Sequence, residues 1–249
     1  MEDRAEKPRR HWGRRVLLVL LLVLTLAAVF YVSDYYRADE TARAVLANPV
    51  PGVQVELEND RIVFTPDEVR AGLIFYPGGK VEYSAYAPLM EDLAEKGVLC
   101  ILLKMPLNLA VLAPNAADGV TDAYPDVPLW AVGGHSLGGV MAARYAAKHP
   151  EALDAVVLLA SYSTSDLRDT GLQILSVYGT EDRVLNRNQY ESRRENLPAD
   201  FTERVIEGGC HAWFGSYGPQ KGDGTPTISA EEQQAAAAAM ILELLIPSG

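Results

Sequence analysis

Five short apolar runs decide what this chain can fold into: "AGLIFYPGG" (71–79), "VLCILL" (98–103), "LWAVG" (129–133), "DAVVLLA" (154–160) and "LQILSVYG" (172–179). Each has the length of a strand and is apolar on consecutive rather than alternate residues, so each needs cover on both faces. Segments with helical spacing lie between or after them, at 83–96, 137–148, 187–196 and 229–246, and "TERVIEG" (202–208) adds another strand. Such alternation forms a mostly parallel, doubly wound α/β sheet with helices on both faces. Ahead of it, "VQVELEND" and "RIVFTP" alternate apolar and polar residues around Asn59 and Asp60, the pattern of an antiparallel hairpin. The reading is one α/β domain over 53–249. Its least regular part, 104–128, is expected to be a loop with a short helix over the edge of the sheet.

The N-terminus is of another kind. Residues 16–32, "VLLVLLLVLTLAAVFYV", are an uncharged run of seventeen, which as a helix is roughly 26 Å long and just spans a bilayer core. Arg9, Arg10, Arg14 and Arg15 precede it, so the positive-inside bias makes 1–15 a cytoplasmic tail and 16–32 a transmembrane signal anchor. The polar segment 33–52, ending in "NPVPG", reads as a stalk, and the domain is placed outside the cytoplasm. A cleaved signal peptide, with Ala27 and Ala28 near the cut, is the alternative, and it would release the same domain as a secreted protein. Apolar residues that continue through Phe30 and Val32 favour the uncleaved anchor.

Charge narrows the partners. Six basic and three acidic residues give 1–32 a net +3, so the overall −11 leaves −14 on the remainder. A field of that sign repels phosphate backbones, and nucleic acid is excluded as a partner. Two cysteines, Cys100 and Cys210, are too few for a disulfide scaffold, and Cys100 lies inside an apolar strand pattern. Metal-ligand spacings such as HExxH or paired CxxC are absent from the sequence.

The chemistry centres on "GGHSLGG" (133–139), which places Ser136 between a strand and a helix. That context forces a sharp turn and leaves the serine exposed at the strand's C-terminal end, while the flanking glycines keep side chains out of the crossing. A serine hydroxyl needs a base to act as a nucleophile at neutral pH. The chain has four histidines. His11 lies across the membrane, His135 is tied into the turn with its side chain expected to point away, and His149 closes the following helix. His211, in the loop "EGGCHAWFG" after the last strand, is left as the base. An imidazole in that role needs a carboxylate to fix its tautomer. Asp182, directly after the strand 172–179, is at the right edge; Glu181 is its adjacent rival, and Asp166 and Asp169 are lesser ones.

With the order Ser136, Asp182, His211 in place, residues 53–246 resemble a small α/β-hydrolase, carried by "GHSLGG", "YGTEDRV" and the post-strand "CH". The lidless layout and the block "HAWFGSYGPQKGDGTPTIS" are similar to the dienelactone-hydrolase-like group, although that group proper uses cysteine where this chain has Ser136. The resemblance implies an oxyanion hole formed by the N–H of Leu137 and a second donor after "LIFYPGG". Pro77 has no N–H, so Gly79 is named for it, with Lys80 as rival. It implies a serine hydrolase acting on a small-molecule carboxylic ester through an acyl-enzyme, with no metal and no cofactor. A thioesterase, lactonase or peptidase with the same triad, an acyltransferase, and a non-catalytic binding module are the alternatives. The aromatics Trp213, Phe214 and Tyr217 are candidates either to wall the pocket or to fill the core.

Overall fold

In the computed structural model, which describes residues 10–247, the apolar run lies within a helix, α1 (Arg10–Ser33). The first nine residues of the expected basic tail lie outside the described residues. Trp12–Ser33 is long and apolar enough to cross a membrane, and none of it is buried. At 1.5 Å per residue it measures about 33 Å, close to the ~30 Å of a bilayer's hydrocarbon core.

A second compact unit begins at Tyr36. Residues 36–52, expected to be a stalk, are instead folded onto the domain. Asp39 accepts the N–H of Ala42 and caps α2 (Glu40–Ala47), whose Ala42 is fully buried together with Ala38 before it. The carboxylate of Glu91 accepts the N–H of Val50 at 2.9 Å, fixing the far end of this segment. A few small apolar side chains and one buried carboxylate hold it, too little for its polar composition to disclose.

The rest is an eight-stranded sheet. Its strands are β1 (Val53–Leu57), β2 (Arg61–Pro66), β3 (Ala71–Tyr76), β4 (Val98–Leu103), β5 (Trp130–His135), β6 (Ala155–Leu159), β7 (Gln173–Gly179) and β8 (Thr202–Ile206). They are ordered β1-β2-β4-β3-β5-β6-β7-β8. β1 pairs antiparallel with β2, β2 antiparallel with β4, and the remaining pairs are parallel. The helices are α3 (Ala87–Ala94), α4 (Val120–Ala123), α5 (Leu137–Ala146), α6 (Arg187–Arg193) and α7 (Ala230–Leu245). Residues 104–119 hold only two short 3-10 turns.

The continuous apolar runs are explained by two cores. Leu73 and Phe75 of β3 and Cys100 and Leu102 of β4 pack with Leu89 and Leu93 of α3 and Ile241 of α7. Their neighbours Ile74, Tyr76, Leu99 and Ile101 point the other way, against Met141 and Tyr145 of α5. Successive side chains thus serve opposite layers, as strand geometry requires. Cys100 and Cys210 are buried free thiols. The chain leaves β3 toward β4 on one side, and β5 lies on the other, so a crevice opens beyond the carboxyl ends of these strands, where α/β folds place ligands.

Candidate active site

β5 delivers His135 and α5 starts at Leu137, so Ser136 alone makes the turn between them. Its φ of 52° and ψ of −121° are unfavourable for a residue with a side chain, a strain of order 1–3 kcal/mol. The surroundings hold it: the Ser136 N–H donates to the Leu159 carbonyl (2.9 Å), and the Ser136 carbonyl accepts from the Ser161 hydroxyl (2.7 Å). Glycine is required beside it on steric grounds. A Cβ at Gly138 would stand 2.1 Å from the Tyr76 carbonyl oxygen, and one at Gly134 would stand 2.5 Å from the Gly138 carbonyl carbon.

β7 and β8 are neighbours, and the loops at their ends bring Asp182 and His211 together. His211 Nδ1 lies 2.9 Å from Asp182 Oδ2, with both side chains buried. Asp182 Oδ1 accepts the N–H groups of Val184 (2.9 Å) and Leu185 (2.8 Å), which fixes the side chain and leaves Oδ2 as the acceptor facing His211. The Nδ1 proton of His211 therefore goes to Asp182, and Nε2 is left as the acceptor. That Nε2 has no protein partner among the described residues. Of the rival acids, Glu181 faces Arg183 at 3.7 Å, Asp166 is paired with Arg168 on the surface, and Asp169 is exposed; none of these is hydrogen-bonded to His211.

The two loops are cross-tied. Asp223 accepts the N–H of Ala212 (2.9 Å) with one oxygen and that of Arg183 (3.2 Å) with the other, one residue beyond His211 and one beyond Asp182. Gln233 of α7 acts like a strand partner for Cys210: its carbonyl accepts the Cys210 N–H (2.9 Å) and its amide donates to the Cys210 carbonyl (2.7 Å). Sequence reading gave a role to neither: Asp223 lies inside the quoted block 211–229 with no spacing that marks it, and Gln233 lies in the terminal helix.

The turn after β3 has few free donors. Gly78 N–H donates to the Tyr86 hydroxyl (3.0 Å) and Lys80 N–H to the Asn108 carbonyl (2.8 Å). Gly79 is the remaining backbone donor there, and it lies directly against the side chain of Leu137. Leu137 is the first residue of α5, where a helix leaves its N–H groups unspent and its dipole favours negative charge.

His135, whose side chain is expected to point away from Ser136, does not line the pocket; its ring lies beneath that of His211. Residues 131, 133 and 135 share a face of β5, and the His135 ring sits 4.6 Å from that of His211 and 5.7 Å from that of Phe214. The Tyr86 hydroxyl already accepts from Gly78, so its own proton goes to His135 Nδ1 at 2.7 Å. Burial, and then the neighbouring His211, hold the His135 pKa well below the usual value for histidine. The ring is a neutral platform under His211.

Ser136, Leu137 and His211 line one pocket of about 210 Å³, completed mainly by apolar side chains including Val140, Val184 and Leu185. The aromatics do not wall it: Phe214 and Tyr217 are core residues, and Trp213 packs partly buried against the same core. Among the described residues, no group of three or more His, Cys, Asp or Glu is gathered for a metal ion.

A family model described as the alpha/beta hydrolase family matches residues 72–235. Two solved structures share the fold. One is a predicted CIB-like hydrolase from Thermoplasma acidophilum, 14% identical with a TM-score of 0.56, covering 76% of this chain and 99% of that one. The other is TT1662 from Thermus thermophilus, also 14% identical with a TM-score of 0.56, covering 78% of this chain and 98% of that one. No curated protein matches the chain.

Proposed function

The chain belongs to the alpha/beta hydrolase family, and we propose that within it this enzyme is a serine hydrolase of carboxylic esters, anchored by α1 with its domain outside the cytoplasm. The observation that carries this reading is the buried Asp182–His211 pair, whose unpartnered Nε2 belongs to the same pocket as the strained Ser136.

In this mechanism Ser136 Oγ attacks the ester carbonyl carbon as its proton passes to His211 Nε2. Asp182 stabilises the resulting imidazolium. The N–H groups of Leu137 and Gly79 stabilise the carbonyl oxygen as it becomes an oxyanion, a contribution of about 3–4 kcal/mol per donor in comparable sites. As the intermediate collapses, the carbon–oxygen bond to the leaving alcohol breaks and His211 returns the proton to that oxygen. Water then attacks the acyl-Ser136 ester, again deprotonated by His211, and the acid and free Ser136 are released. The apolar pocket fits the acyl side of a small ester, and an oxygen leaving group needs only the one proton that His211 holds.

A fluorophosphonate probe applied to the full-length chain tests the reading. Wild type should label and Ser136→Ala should not; labelling of the variant at the wild-type rate would refute the nucleophile. Asp182→Asn should keep binding but lose several orders of magnitude in kcat.

A further inference from the structure

Tyr36 ties the start of the domain to the turn beside the pocket. Its N–H donates to the Lys80 carbonyl (2.8 Å), its carbonyl accepts the Glu82 N–H (2.8 Å), and its hydroxyl accepts the Lys221 N–H (3.0 Å). Tyr36 and Val81 form a parallel bridge, and the Tyr36 ring lies 5.5 Å from that of Tyr217. This is the stretch that follows Gly78 and Gly79. α1 ends at Ser33, so three Cα–Cα steps, at most about 11 Å, join the end of the apolar helix to a residue fixed at that turn. Chain length alone keeps the two within this reach, whatever the angle between them.

The same edge of the domain exposes apolar side chains. The Lys80 N–H bond to Asn108 sets segment 106–112 against the tethered turn. Within it Leu107, Val111 and Leu112 are 55%, 46% and 53% exposed. Leu107 and Asn108 hold positive φ values of 54° and 55°, an unfavourable conformation for residues with side chains. Among the described residues from Tyr36 onward, only Leu57 and Val205 join them as exposed large hydrophobics. Leu57 closes β1 opposite Ile62, beside the Asp60 carbonyl that accepts the Lys104 N–H, so it too lies at the carboxyl edge of the parallel strands. Exposed Lys104, two residues before this segment, and exposed Lys221, whose N–H bonds to Tyr36, add cationic groups that lipid headgroups can meet. Clustered apolar exposure at an active-site edge marks a surface that meets something apolar.

We propose that this edge docks on the bilayer that holds α1, with Leu107, Val111 and Leu112 entering its interfacial layer, and that the substrates of Ser136 are esters of membrane-resident amphiphiles. The inference rests on the anchored serine-esterase reading and names its substrate class. A pocket of about 210 Å³ is smaller than the roughly 300–1,000 Å³ of sites that enclose a whole drug-sized ligand. It takes in the reacting ester and the adjoining part of the acyl chain while the rest stays in the lipid.

The test uses full-length protein reconstituted in phosphatidylcholine vesicles, a zwitterionic surface that the acidic domain does not repel. The double variant Leu107→Ser/Leu112→Ser alters residues outside the pocket lining. It should hydrolyse diacylglycerol embedded in the vesicles about tenfold or more slowly, while p-nitrophenyl acetate in the water phase turns over at the wild-type rate. Equal loss on both substrates, or loss on neither, would overturn the proposal. A second reading is independent of activity: Leu112→Cys, labelled with bimane, should be quenched by brominated acyl chains, whereas Asp200→Cys in the loop before β8 should not. Label at position 112 that is untouched by brominated lipid but shielded by a second copy of the chain would replace docking with self-association. Quenching of the label at position 112, with a wild type that does not cleave p-nitrophenyl acetate, would uphold docking and overturn the serine-esterase reading alone.

Discussion

His135 is a buried imidazole held neutral, and this makes the stability of the fold depend on pH in a calculable way. In the unfolded chain it titrates near 6.5; in the fold, burial keeps it unprotonated until well below that. Below pH 6.5 the unfolded state therefore binds more protons, so stability is full above that pH and falls as the solution is acidified. One proton limits the slope to about 1.4 kcal/mol per pH unit, so between pH 7 and pH 5 this one residue can remove at most about 2 kcal/mol. His135→Gln retains an acceptor for the Tyr86 hydroxyl but does not titrate. Urea unfolding followed by tryptophan fluorescence, in detergent that keeps α1 in solution, should show wild type losing more stability than the variant between these pH values, by up to about 2 kcal/mol. Equal losses in the two proteins would refute the neutral-platform assignment, because a histidine that titrates alike in both states contributes no pH dependence.

Two further outcomes follow from the geometry around the site. Gly138→Ala would drive a Cβ to within 2.1 Å and 2.4 Å of the Tyr76 and Pro77 carbonyl oxygens. Relief requires α5 and the end of β3 to separate, so thermal unfolding should move down by the equivalent of 1–3 kcal/mol or more, and kcat should fall about 100-fold as the Leu137 and Gly79 donors part; unchanged values of both would sink the steric account. Asp223→Ala removes the acceptor shared by Ala212 and Arg183. Steady-state kinetics should give kcat lower by about 10–100-fold with KM nearly unchanged, and Asp223→Asn, which keeps one carbonyl acceptor, should recover part of the loss.

What could be read from sequence was whatever local pattern determines. The apolar runs at 71–76 and 98–103 became strands buried on both faces because no other arrangement covers six consecutive apolar residues. That Ser136, Asp182 and His211 come to one edge of the sheet was legible because each follows a recognisable strand, and parallel strands put such positions on one edge. Residues 36–52 were misread as a stalk, because their docking depends on Ala38, Ala42 and the distant Glu91 rather than on any periodic apolar face. That the His135 ring packs beneath His211 was not legible. Its alternation with Ala131 and Gly133 defines its face, but its neighbours there, Tyr86, Phe214 and His211, come from distant segments. Nothing local in "QKGDG" marks Asp223 as the tie between two loops.

The paired hydrogen bonds from Gln233 to Cys210 bear on how the protein comes into being. A ribosome makes residue 233 after every residue of the Ser136, Asp182 and His211 constellation, so the backbone beside the base is unclamped while most of the chain already exists. The backbone next to His211 gains this clamp only when α7 closes over the finished sheet. On the proposed mechanism competence arrives last, and a nascent chain that stalls before α7 carries Ser136, Asp182 and His211 without that clamp.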